Sequence, residues 1–240
     1  MFSKKVLTTA VGAALVAGAV QVQALEVSGN VALTSDYRFR GISQSDESAA
    51  IQGGFDVGFD SGFYVGTWGS SVDFDTNGEG YDGSLELDYY AGWAGPIGDS
   101  NFGIDVGYFY YDYPGDDDEE GDYQEVAVGL SWGDLGLTVV YSDDYYAETD
   151  EFWYVAGDYS FSLLEDLTVG LHVGYNMLEE DGGFLSSDED AYTDYSVSVT
   201  YTWMDVDFSL AWVGTDLDDD DVFGTDWADD TAVFTIAKSL

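Results

Sequence analysis

Asp194-Tyr195-Ser196-Val197-Ser198-Val199-Thr200-Tyr201-Thr202-Trp203 alternates polar and apolar residues without a break. Successive side chains of a β-strand point to opposite sides, so this segment has one wet face and one dry face. A helix made of the same residues would scatter both kinds around its surface. The segment reads as a strand that separates water from something oily.

The pattern recurs on both sides of it. Leu167, Val169, Leu171, Val173, Tyr175 and Met177 form a dry face just before, and Val206, Phe208, Leu210 and Trp212 one just after. Further dry faces are Val27, Val31, Leu33, Tyr37 and Phe39; Ile51, Phe55, Val57 and Phe59; Tyr64, Trp68, Val72 and Phe74; and Leu85, Leu87, Tyr89 and Trp93. Then come Phe102, Ile104, Val106, Tyr108 and Tyr110; Val126, Val128, Leu130 and Trp132; Leu135, Leu137, Val139 and Tyr141; and Trp153, Val155, Tyr159 and Phe161. Ala232, Phe234 and Ile236 close the chain in a twelfth segment.

An even strand number is what bacterial single-chain outer-membrane barrels have. With both termini in the periplasm, the connections alternate strictly. Long ones fall at roughly 41–48, 75–82, 114–122, 143–150, 179–191 and 215–229. Short ones fall at roughly 60–62, 95–101, 133–134 and 163–166, with a turn at Met204. A soluble sandwich has no reason to keep that parity. The expected fold is all-β: a transmembrane, antiparallel, up-and-down β-barrel of about 12 strands with N- and C-termini in the periplasm, formed by residues 25–240 as one domain. Trp93, Trp132 and Trp203 sit on dry faces beside short turns, where a membrane girdle is expected.

Residues 1–24 read as a secretory signal peptide. Lys4 and Lys5 precede an apolar run from Val6 to Val20, and Val22-Gln23-Ala24 resembles a cleavage site. Beyond it no apolar window is long enough for a membrane helix. The formal net charge is −43, with only Arg38, Arg40 and Lys238 as cations after the leader. Nucleic acid is therefore excluded as a partner, because phosphate binding needs clustered bases. There is no cysteine, which removes disulfides and thiolate metal sites. An aromatic content of 17% argues against disorder despite the charge.

The acids concentrate in the long connections, as in Asp116-Asp117-Asp118-Glu119-Glu120, Glu179-Glu180-Asp181, Asp188-Glu189-Asp190 and Asp218-Asp219-Asp220-Asp221. Oxygen ligands of this kind suit Ca²⁺ or Mg²⁺, so divalent cations are candidate partners of the loops, although no segment has the twelve-position calcium-loop pattern. No cofactor is expected and no metal site is assigned. Outer-membrane lipids and small polar solutes are the expected partners.

Both arginines of the chain lie in Ser35-Asp36-Tyr37-Arg38-Phe39-Arg40-Gly41-Ile42-Ser43-Gln44. Read as a strand, this places Asp36, Arg38 and Arg40 on the lumen side, with Tyr37 and Phe39 outward. Two readings compete for them: a charged constriction for an anionic or zwitterionic solute, and an ion-pair network with lumen acids such as Asp56, Asp73 and Glu86. Asp88, Asp105, Asp158, Asp194 and Asp207 share the wet parity, and acidic rings favour cations. His172 is the single histidine, on a wet face, and no serine-hydrolase or paired-histidine motif accompanies it.

Ser35-Asp36-Tyr37, Phe39-Arg40-Gly41-Ile42-Ser43-Gln44, Gln52-Gly53-Gly54 and Gly62-Phe63-Tyr64-Val65-Gly66-Thr67-Trp68-Gly69-Ser70 resemble the TorF family, proteobacterial proteins to which a porin role is ascribed. The resemblance is specific over roughly residues 31 to 75. It implies an outer-membrane β-barrel with a transport role and supplies no substrate. The functional expectation is a passive, cation-preferring channel in the outer membrane of a Gram-negative bacterium, not an enzyme. The alternative is a non-conducting barrel that works through its acidic loops as a structural element, adhesin or receptor.

Overall fold

The computed structural model describes residues 25–74, 83–115, 121–179 and 184–240. Residues 1–24, where a signal peptide is expected, the expected long connection at 75–82, the acidic run 116–120 and the pair Glu180-Asp181 lie outside the described residues.

The wall is a closed antiparallel barrel of twelve strands. In chain order the strands are β1 (Glu26–Thr34), β2 (Arg38–Phe39), β3 (Ile42–Ser43), β4 (Ala50–Gly58), β5 (Phe63–Ser71), β6 (Leu85–Pro96) and β7 (Phe102–Asp112). They continue with β8 (Tyr123–Trp132), β9 (Leu135–Ser142), β10 (Phe152–Leu164), β11 (Leu167–Leu178), β12 (Ala191–Trp203), β13 (Val206–Thr215) and β14 (Thr231–Ser239). Strands β2 and β3 pair only with each other and are not part of the wall. Each wall strand pairs with its sequence neighbour, and β1 closes against β14 from Asn30↔Ser239 to Thr34↔Thr235. Closure leaves no open edge, so every strand finds backbone partners on both sides. No helix among the described residues is long and apolar enough to cross a membrane.

Alternation decides which side chains face out. Val31, Leu33, Ile51, Phe55, Tyr108, Val128, Leu130, Val173, Val197, Val199, Leu210 and Phe234 are all exposed. Such a continuous apolar band far exceeds what a protein surface shows to water. Trp132 and Trp203 are exposed at the short-turn end, and Trp132 stacks on Phe102. Trp93 donates its ring N–H to the Ser61 carbonyl in the same region.

Two expectations are corrected. Strand β5 turns the opposite way: Phe63 and Val65 are exposed, while Tyr64 donates to Asp105 and Trp68 packs on Tyr37 within the barrel. Both faces of β5 carry apolar residues, so alternation alone does not choose between them. Gly66 settles it physically, because a Cβ there would strike the Tyr90 ring that lies over it inside.

The second correction concerns residues 35–44. The first strand ends at Thr34, and the chain then leaves the wall and folds into the barrel. Arg38 pairs with Ser43 and Phe39 with Ile42, closing a two-residue hairpin at Arg40-Gly41. Arg40 and Gly41 both have positive φ, 48° and 86°, as a type I′ turn requires. Tyr37 is buried and Phe39 packs edge-on against Tyr111, so neither faces lipid. The long-connection end of the lumen is filled by a core of buried residues that includes Tyr37, Phe109, Tyr111, Tyr123, Phe152, Tyr192, Leu185 and Trp227.

Val197, at mid-strand and half exposed, tests the outward apolar band. Val197→Arg should cost about 2–4 kcal/mol in a reversible urea titration in lipid vesicles, the cost of an arginine facing hydrocarbon. A cost near zero would place this side chain in water.

Candidate functional site

The hairpin tip carries Arg40 into the middle of the aromatic core. Its Nη2 forms an ion pair with Glu125 Oε1 at 2.7 Å, and Nη1 donates to Tyr145 Oη at 3.2 Å. The guanidinium carbon lies 4.5 Å from the Phe39 ring centre, 4.7 Å from those of Phe152 and Tyr154, and 5.7 Å from that of Tyr145. Ring faces attract cations over such distances. Burial works against the Arg40 charge, but Glu125 and the surrounding tyrosine oxygens outweigh it, so its pKa stands well above the ordinary arginine value. Burial lifts the Tyr145 hydroxyl to about 12, with Arg40 pulling the other way, so that hydroxyl stays protonated.

Gly41 lets the tip seat. A Cβ there would overlap the Thr215 side chain and come within 3.1 Å of Asp194 Cβ, on top of the positive φ.

Arg38 has a different task. Its Nε donates to Asp36 Oδ2, Nη1 to the carbonyls of Gly41, Trp227 and Asp229, and Nη2 to Glu47. It thus ties the hairpin to the connection between β13 and β14. Asp36 is held in turn by the Ser43 and Ser45 hydroxyls at 2.7 and 3.3 Å.

The acids read from the sequence separate into distinct places. Glu86 is buried and accepts from Tyr37 at 2.9 Å and Tyr113 at 3.3 Å. Burial and the neighbouring Glu86 and Asp88 charges raise the Tyr37 pKa, so it remains the donor. Asp88 is buried as well, and its Oδ1 has no hydrogen-bond partner among the described residues. Asp105 accepts from Tyr64 at 2.7 Å, and Asp56 from Tyr90 at 2.5 Å. Asp73 lies past the end of β5, exposed, in an isolated bridge with Ser45. The charged partners of the arginines are therefore Asp36, Glu47 and Glu125, not Asp56, Asp73 or Glu86. Glu125 was readable as inward-facing, since Val126 and Val128 beside it face out.

His172 belongs to a second network. Its Nδ1 is 2.8 Å from Asp158 Oδ1 and its Nε2 2.8 Å from Asp194 Oδ1. Tyr154 Oη lies 3.0 Å from the same Nε2, and Asn176 donates to Asp194 Oδ2 at 2.9 Å. Antiparallel registry explains the assembly: Asp158 is opposite His172, and Asp194 is opposite Gly174. Tyr154 also carries one of the rings over Arg40, so the two networks touch. Sequence spacing could not pair these residues, because the register between strands is set by the whole sheet. Among the described residues, no cluster of three or more His, Asp or Glu is placed to hold a metal ion.

A closed twelve-stranded antiparallel barrel, apolar outside and charged within, has the architecture of the outer-membrane porins. The KdgM porin superposes with a TM-score of 0.55 at 10% identity, covering 88% of this chain and 97% of that one. The NanC porin gives a TM-score of 0.55 at 13% identity over 88% and 98%. LpxR from Salmonella typhimurium gives 0.49 at 9% identity over 89% and 99%. At such identities the likeness is one of fold. No curated protein matches the chain in sequence. The chain belongs to the Gcw_chp family, described as "Bacterial protein of unknown function", whose model matches residues 19–240.

Removing the carboxylate beside Arg40 leaves a buried charge uncompensated. Glu125→Gln should lower unfolding stability by about 3–5 kcal/mol, read from the shift in urea midpoint. Asp73→Asn, at the exposed end of β5, should change it by no more than about 0.5 kcal/mol.

Proposed function

We propose that this protein is a porin-type channel of the Gram-negative outer membrane, passing small polar or charged solutes with a preference for cations. The observation that carries the reading is the division of the wall: apolar side chains out, ionised ones in, around a closed ring. That division suits a lipid bilayer outside and water inside. The fold shared with two porins supports it, as does the resemblance of residues 31 to 75 to the TorF family. Long connections would face outward and the termini the periplasm.

Cation preference follows from the inward acids and the acidic loops. Asp56, Asp158 and Asp207 lie partly or fully exposed along the lumen face, and the chain's formal charge is −43. A potential of one sign concentrates ions of the other.

The hairpin at 38–43 qualifies this mechanism. Diffusion past a charged constriction needs an open path, and here the long-connection half is packed with rings and Arg40. On our reading the hairpin is the gate, and conduction requires it to shift. The same packing favours the second reading, a non-conducting barrel that acts through its loops.

Planar-bilayer recording separates these readings. Under a KCl gradient the wild-type protein should give sparse openings with a cation-selective reversal potential. Arg40→Gln, which loses the ion pair holding the tip, should open more often. Anion selectivity would overturn the cation preference. Silence from both proteins would favour the non-conducting barrel.

A further inference from the structure

A cavity of about 220 Å³ opens among the long connections, above the hairpin. Rings dominate its lining, among them Phe39, Tyr113, Tyr145, Tyr146, Phe184 and Trp227. Among the described residues, Ser43 and Gln44 are the polar side chains of the lining besides the tyrosine hydroxyls and the Trp227 ring N–H, and no lysine, arginine, histidine or acid is part of it. It is smaller than the roughly 300–1,000 Å³ typical of drug-sized ligands, so it takes a small body.

Three observations fix the charge of that body. The first is the field. Gln44, Tyr145 and Val222 line the cavity, and Asp46, Asp144 and Asp221 lie within two residues of them. Arg40 is matched by Glu125, so the cavity faces no net positive charge from below.

The second is the polarisation of the rings. Tyr113 donates its hydroxyl to Glu86, and Trp227 donates its ring N–H to Asp46 at 2.8 Å. Donation to a carboxylate pushes electron density into a ring and strengthens the negative face that a cation meets.

The third is a precedent within the same core. Phe39 and Tyr145 line the cavity and also flank the Arg40 guanidinium. These rings already hold one cation by their faces.

A bare inorganic cation does not suit the lining, because it needs several oxygen ligands to replace its water. A weakly hydrated cation with methyl groups does, because it gives up little water and gains ring contact. We propose that the cavity is a binding site for a small organic cation with an apolar body, of the quaternary-ammonium class. The proposal rests on the outer-membrane reading only for the side from which the ligand arrives. Binding is an equilibrium property, so a failure to conduct leaves it standing, and a failure to bind leaves conductance open.

The test uses the full protein folded in detergent micelles and isothermal titration calorimetry. The probes are choline and 3,3-dimethylbutan-1-ol, which has the same shape with carbon in place of the charged nitrogen. Choline should bind, and the neutral isostere should bind at least about tenfold more weakly. Tyr146→Leu and Phe184→Leu keep apolar bulk but remove a ring. Each should weaken choline binding about three- to tenfold and leave the heat-modifiable gel mobility of the folded barrel unchanged. Equal affinity for the two probes would overturn the proposal, as would no choline binding by the wild type. Full choline affinity in both leucine variants would overturn the cage.

Discussion

A guanidinium enclosed by four rings keeps its charge inside this barrel because Glu125 lies against it. Desolvating a lone cation costs several kcal/mol, and ring faces alone return only part of that. With the carboxylate in place the tip of the hairpin can sit at the centre of the lumen. The rest of the long-connection half is then arranged around it. Tyr145 and Tyr154 pack on the cation, Gly41 leaves room for Thr215, and Arg38 fastens the base of the hairpin to Trp227 and Asp229.

The interior of the barrel consequently changes character along its axis. Toward the long connections it resembles the core of a soluble protein, with stacked and edge-on rings such as Tyr111–Tyr123 and Tyr145–Phe152. Toward the short turns the inward residues are smaller or charged, and Asp158 keeps 54% of its side chain exposed even while bonded to His172. Glycines opposite tyrosines help make the change. Tyr64 lies over Gly92 and Tyr90 over Gly66, with their hydroxyls reaching Asp105 and Asp56. Along the barrel axis the rings lie toward the long connections and more of the exposed carboxylates toward the short turns.

The registry of the sheet explains why the acids are not interchangeable. Asp194 lies beside Gly174, which lets Tyr154 and His172 reach the same carboxylate. Asp88 is equally buried, yet one of its oxygens has no partner among the described residues. Asp73 has the outward parity of Phe63 and Val65 in β5 and lies exposed just beyond the end of that strand. Parity groups residues onto one face, and the packing of the whole strand decides which face lines the lumen.

The amino-acid sequence by itself determined the strand count, the alternation of long and short connections and the outward band, because a period of two follows from the covalent geometry of any extended chain. Val197, Val199 and Tyr201 could be read with no knowledge of their neighbours. The tertiary structure alone decided the fate of residues 35–49 and the facing of β5. Tyr37, Phe39, Tyr64 and Trp68 are apolar enough for lipid and polar or flat enough for a packed interior, so their own chemistry permits both sides. What settled them was the company supplied by remote strands: Glu86 for Tyr37, Asp105 for Tyr64, Glu125 for Arg40. Those partners are brought close only when the ring closes, and no local pattern encodes that closure.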